Sequence, residues 1–311
     1  MQKLISSAAL LGLIGGAVLS ASDCNDLNTS NILSFNQVVS GMSVVRDFEF
    51  GTDSDRNIHN TTDLASYFCV YGIAGTTVVN GEWGIYPGGP SSSCGTFNTT
   101  NWTFANRSMQ LVATVNGNYN GSTLKAGDLN TGQITTQDTY LPGVSTSGGN
   151  YKAYAFEIDM QFPNIPGAWP AFWLYTRDPM AIPRDASEID MLEFEIGLNG
   201  QTSQDAAFAT HGPGVGTPTY DLLNTFSIYN NGTNWATTHH KYQCYWTTDY
   251  RYTYLDGALL QAIPFTWTSH GGAAIAAPQV IANLAIGPFG SHLASNYPAS
   301  MDITHITVWG R

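Results

Sequence analysis

Short apolar segments set between turn signals recur along most of the chain, and they restrict its fold more than any other feature. Residues 109–115, 153–162, 171–175, 188–196, 242–246, 251–255, 280–286 and 303–309 are the clearest. They are rich in β-branched and aromatic residues and too short for helices of globular length. Asp256-Gly257 offers a two-residue hairpin turn after one of them. Apolar heptads and long amphipathic runs are missing. The pattern predicts an all-β fold, a sandwich or jelly roll. Residues 22 to about 95 are rich in Gly, Ser and Asn, with short apolar pieces such as Val44-Val45 and 76–79. They are expected to add outer strands and loops to the same sandwich, and Pro87-Gly88-Gly89-Pro90 reads as a surface loop.

The first residues read differently. Lys3 supplies a basic start, residues 10–19 form an apolar run too short to span a bilayer, and Ser20, Ala21 and Ser22 offer cleavage positions. Residues 1–22 are therefore read as a secretion signal and residues 23–311 as one β-sandwich domain, secreted and monomeric. Cys24, Cys69, Cys94 and Cys244 all follow the signal, and an even count in an oxidising compartment favours disulfides over metal or redox chemistry. Three connectivities are open. The most local one pairs Cys69 with Cys94 and leaves Cys24 for Cys244. Glycosylation sequons stand at Asn28, Asn60, Asn98, Asn101, Asn106, Asn120 and Asn231, and chance in an Asn/Thr-rich chain accounts for them equally well. Only 11 % of residues are charged and the formal net charge is −12, which disfavours nucleic acid and anionic membranes as partners. A neutral polymer fits better.

Chemistry concentrates in Glu188-Ile189-Asp190-Met191-Leu192-Glu193. On an extended strand Glu188 and Asp190 share a face, whereas Glu193 falls on the other. One extra residue accommodated as a β-bulge around Met191-Leu192 returns Glu193 to the acidic face. Carboxylates crowded together raise one another's pKa, so that one is ionised while another stays protonated. Glycosidic bond cleavage requires that pairing. The competing reading, a solvated acidic face, conflicts with the apolar Ile189, Met191, Leu192 and Phe194 between and beside the acids.

With its neighbours, this segment resembles glycoside hydrolase family 16, the laminarinase-like endoglucanases. Glu188-Ile-Asp-Met-Leu-Glu193 looks like the family's bulged signature. Gly167-Ala-Trp-Pro-Ala-Phe-Trp-Leu174, Ala155-Phe-Glu-Ile-Asp-Met-Gln-Phe-Pro163, His240-Lys-Tyr-Gln-Cys-Tyr-Trp246 and Asn283-Leu-Ala-Ile-Gly287 are similar to segments around it, in the same order. The likeness runs from about Thr131 to the C-terminus. It implies a two-sheet antiparallel β-sandwich of jelly-roll, concanavalin-like type with a concave substrate cleft, with Glu188 as nucleophile, Glu193 as general acid/base and Asp190 as the residue that orients and tunes Glu188. In a retaining enzyme the two working carboxyl groups stand about 5–5.5 Å apart, so the strand must bend at the bulge.

Candidate substrate-binding residues are Trp169, Trp173, His211 and Asn283. Either tryptophan could stack on sugar or fill the core. His211 lies on or near the next strand as an active-site or a structural histidine, and Asn283 reads equally as a sugar or backbone partner. His240 and Trp246 read as structural as often as functional. Many members of the family carry an Asp on the last strand that binds calcium. Here Thr304 stands in that place, a weak ligand for a hard cation, and Asp302 is displaced by about 6.6 Å along the strand. No metal and no cofactor are expected.

The resemblance thus implies a retaining endo-hydrolase of β-1,3 or mixed β-1,3/1,4-glucan. The same site would serve a galactan, a bacterial exopolysaccharide or a transglycosylase, although the −12 charge disfavours sulfated polymers. A lectin-like sandwich that binds glycan without cutting it has no use for three clustered acids.

Overall fold

A computed structural model describes residues 18–19, 33–70, 82–87, 95–121, 123–176, 187–212, 225–268 and 276–311. Most of the signal segment, Cys24, Asn28, the 76–79 piece, Cys94 and most of the Pro87–Pro90 loop lie outside these residues. Two sheets face each other. One has eight strands in the order Val18–Leu19, Thr225–Tyr229, Ala206–His211, Glu188–Glu193, Ala168–Tyr175, Gln279–Ile286, Gln133–Thr136 and Phe68–Cys69. The other has ten. Its main path runs Ala258–Pro264, Tyr250–Leu255, His240–Thr247, Ala153–Gln161, Ala299–Gly310, Ser108–Val115, Leu129–Asn130 and Gly84–Ile85. Ser43–Glu49 and Trp102–Ala105 join this sheet on Ala299–Gly310 and Ser108–Val115, so residues before 108 do build the same sandwich.

Alternation explains the core. Phe156, Ile158 and Met160 from the larger sheet meet Phe172, Leu174, Ile189, Leu284 and Ile286 from the smaller one, all fully buried. Each such side chain contributes roughly 1.5–3 kcal/mol by leaving water. A helix at Phe35–Val39 covers the outer side of the larger sheet, setting Phe35 edge-on to Tyr254 and Trp309. Asp256 and Gly257 both take positive φ, 49° and 83°, the geometry of a tight hairpin joining Tyr250–Leu255 to Ala258–Pro264. Among the described residues no helix is long and apolar enough to cross a membrane.

Two sequence expectations change. Cys244 is a free thiol, wholly buried between the sheets, so the Cys24–Cys244 pairing does not form. Parity is the reason: Cys244 lies opposite Phe156 and belongs to the same inward-facing cluster. Cys69 is disulfide-bonded, to a partner outside the described residues. Asn101 is 1 % exposed and donates its amide to Val112 O at 2.8 Å, so its sequon is closed to modification in the folded chain.

Candidate active site

The register around Glu188–Glu193 contains the expected bulge. Asp190 lies opposite Ala209 and Glu193 opposite Ala207; on the other side Asp190 lies opposite Trp173 and Glu193 opposite Ala171. Each neighbour therefore advances one residue fewer than the acidic strand. Met191 and Leu192 both turn into the core, fully buried, and parity resets. Glu188, Asp190 and Glu193 thus share the outer face of the smaller sheet. Of their cross-strand neighbours, Ala171, Ala207 and Ala209 are small, while Trp173 and His211 are large.

His211 pairs in register with Glu188 and reaches diagonally, its Nε2 3.0 Å from Asp190 Oδ2. A side-chain oxygen from each of Glu188 and Asp190 and a ring nitrogen of His211 lie within 4.8 Å of one another. Asp190 is 2 % exposed, whereas Glu188 and Glu193 are partly open. Trp169 donates its indole N–H to Glu193 Oε1 at 2.9 Å. Burial holds the Glu193 carboxyl well above the usual carboxylate range, and the charges of Asp190, Glu195 and Glu188 push the same way, while the Trp169 bond pulls back. Glu195, two residues on, is pushed up to about 7 by burial and by Asp190. Burial and neighbouring acids thus favour the protonated form of Glu193, which is the condition that general acid catalysis needs.

Both tryptophans lie on the same face as the acids, Trp173 opposite Asp190 and Trp169 bonded to Glu193. Trp169 contacts Phe289, with ring centroids 5.7 Å apart, and Trp173 stacks on Tyr175 at 5.9 Å. Asn283 is not open to a sugar. It is 4 % exposed, accepts the Trp173 indole N–H on Oδ1 at 2.7 Å and donates from Nδ2 to the Tyr86 hydroxyl at 3.0 Å. Tyr86 in turn donates to Glu82 Oε2 at 2.7 Å. Four groups thus form a one-way chain of donors ending on a buried carboxyl, which burial pushes up to about 8 against the pull of the Tyr86 bond. The chain fixes the plane of Trp173. Sequence reading missed Glu82, Tyr86 and Glu195; an acid in an apolar setting was the available signal at both glutamates. Trp246 is core, and His240 binds Asp256 at 2.8 Å away from this site.

The presumed calcium position sits on the other sheet. Thr304 O accepts the Phe50 N–H, and its hydroxyl lies 3.3 Å from His305 Nδ1. Asp302 spends its oxygens on His239, Ser108 and Gln110. At this position Thr304 and Asp302 thus have partners within the protein.

Residues 108–306 match Glycosyl hydrolases family 16, and the chain belongs to that family. By family it is a glycoside hydrolase. The fold is similar to the laminarinase catalytic domain of Thermotoga maritima, at 18 % identity and TM-score 0.58 over 87 % of this chain and 98 % of that one. It is also similar to the laminarinase of Rhodothermus marinus, at 17 % and 0.58 over 86 % and 97 %. The endo-β-1,3-glucanase of Pyrococcus furiosus gives 17 % and 0.58 over 86 % and 94 %. Among curated protein sequences none matches the chain.

Proposed function

We propose that the protein is a secreted, retaining endo-hydrolase that cleaves β-1,3 or mixed β-1,3/1,4-glucan by double displacement. The observation that carries this reading is the bulge that brings Glu188, Asp190 and Glu193 to one face, with the Glu193 carboxyl held protonated. The Glu188 carboxylate attacks the anomeric carbon while Glu193 gives its proton to the departing glycosidic oxygen. A glycosyl ester on Glu188 forms, and the shortened glucan leaves. Glu193, now a carboxylate stabilised by the Trp169 N–H, takes a proton from water, which attacks the same carbon and frees Glu188. Asp190, tied to His211, orients Glu188. Trp169 and Trp173 offer ring faces to sugars. The names of the similar structures, laminarinase and endo-β-1,3-glucanase, support a β-glucan as substrate. The disulfide at Cys69 supports export to an oxidising compartment. The chemistry needs no metal or cofactor, and a single chain holds every group it uses, in keeping with a monomer.

Reducing-sugar release from laminarin, lichenan, agarose and carrageenan tests the substrate. Laminarin or lichenan should be cut fastest. Turnover of a galactan with neither glucan cleaved would reject the glucanase assignment and leave the mechanism standing.

A further inference from the structure

Arg251 lies on the larger sheet yet acts on the strand that carries the acids. Its side chain is wholly buried. A guanidinium withdrawn from water is costly unless its donors are met. Among the described residues none forms a salt bridge with it. Nη1 donates to Ala209 O at 2.6 Å and to Asp190 O at 3.3 Å. Nη2 donates to Gln261 Oε1, and the Gln261 amide is held in turn by Ser227 Oγ at 2.8 Å.

The two backbone oxygens are not arbitrary. Asp190 and Ala209 are the cross-strand pair at which the register breaks before Glu193. A bulge interrupts the ladder and leaves backbone groups that need another partner. Without the bulge Glu193 would fall on the core face, and a slip of one position would turn Met191 or Leu192 out of the core. We propose that Arg251 is a positioning residue for the catalytic bulge: from the core side it pins the Asp190 and Ala209 carbonyls, so that the extra residue falls at Met191-Leu192 and Glu193 is delivered beside Glu188. Burial pulls the guanidinium's pKa down, while Cys244 and Asp190 push it back up. The proposal rests on Glu193 being the acid/base.

Leaving-group dependence tests it, because a misplaced proton donor harms only substrates that need a proton. We compare kcat/KM on laminarin and on a 2,4-dinitrophenyl β-laminari-oligosaccharide for wild type, Arg251→Met, Arg251→Lys and Glu193→Ala. Folding is checked by circular dichroism. Arg251→Met should lose about ten- to a hundredfold on laminarin but no more than about threefold on the activated glycoside. Arg251→Lys keeps the charge and some donors and should fall between. Glu193→Ala should show the same bias, larger. If Glu193→Ala is biased and Arg251→Met loses equally on both substrates, or on neither, the positioning role is wrong while the catalytic assignment stands. If Glu193→Ala has no bias, the assignment falls and the proposal with it. Should Arg251→Met not fold, Gln261→Met releases one arm of the fork and keeps the charge. A bias of several-fold is then expected, and its absence overturns the proposal.

Discussion

Replacing Trp169 by Phe removes the indole N–H and two ring carbons while keeping an aromatic face toward Phe289. The indole N–H bond to Glu193 Oε1, 2.9 Å long, favours the charged carboxylate. Hydrogen bonds to charged groups are worth roughly 1.5–3 kcal/mol, and about 1.4 kcal/mol corresponds to one pKa unit. Part of that value is recovered by water in a partly open site, so the expected change is about one unit. The sign follows from which form is stabilised. The bond pulls the Glu193 pKa down, so its loss raises a value that burial already holds high. Glycosylation needs Glu193 protonated, and the alkaline limb of kcat/KM therefore moves up by about one pH unit. At a pH above the wild-type limb the variant should outperform wild type relative to its own optimum. Initial rates on laminarin across pH 4–10 (an assay range of about six units) read this directly. An alkaline limb that stays put, or moves down, would refute the claim that Trp169 tunes the proton donor.

Further consequences concern the groups around the site and the opposite sheet. Tyr86→Phe strands the Asn283 amide and the Glu82 carboxyl, so chemical denaturation should report a loss of roughly 1–3 kcal/mol, and KM should rise more than kcat falls as Trp173 loosens. His239, held between Asp159 at 2.8 Å and Asp302 at 3.2 Å, has its pKa raised to about 9. A raised folded-state pKa stabilises below the unfolded value near 6.5 and loses that contribution as pH passes through about 9. The stability gap between wild type and His239→Gln should therefore be about 1–2 kcal/mol near pH 6, after allowing for partial exposure, and close by pH 10. A constant gap across that range would mean that packing, not charge, is responsible. Because Thr304 is a weak ligand for a hard cation, EDTA should leave Tm unchanged; a fall of several degrees restored by calcium would reveal another ligand set.

The acidic strand was readable because Glu188, Asp190 and Glu193 violate strand parity while Met191 and Leu192 are adjacent apolar residues that both need a core. Only a bulge reconciles the two. The hairpin at Asp256-Gly257 was readable for a similar reason, since its two residues tolerate positive φ. By contrast Gln133–Thr136 is fully buried yet mostly polar, and alternation of hydrophobicity gives no sign of it. The Trp173–Asn283–Tyr86–Glu82 chain joins residues as far as 197 positions apart, and nothing local in the sequence encodes that meeting. Arg251 was legible as a strand residue, but not its target on the other sheet. Cys244 misled because cysteine counting ignores facing: its strand turns the thiol inward, where no distant cysteine reaches it.

The central claim is that Glu188 is the nucleophile and Glu193 the acid/base of a double displacement, and one measurement separates the roles. Azide added to Glu188→Ala and Glu193→Ala with an activated aryl β-glucoside gives glycosyl azides whose anomeric protons are distinguished by NMR. Glu188→Ala should give the inverted α-azide, formed by direct attack in the vacated space. Glu193→Ala should give the retained β-azide, formed from the accumulated ester on Glu188. Swapped stereochemistries would contradict the assignment, and α-azide from both would show that no covalent intermediate forms on Glu188.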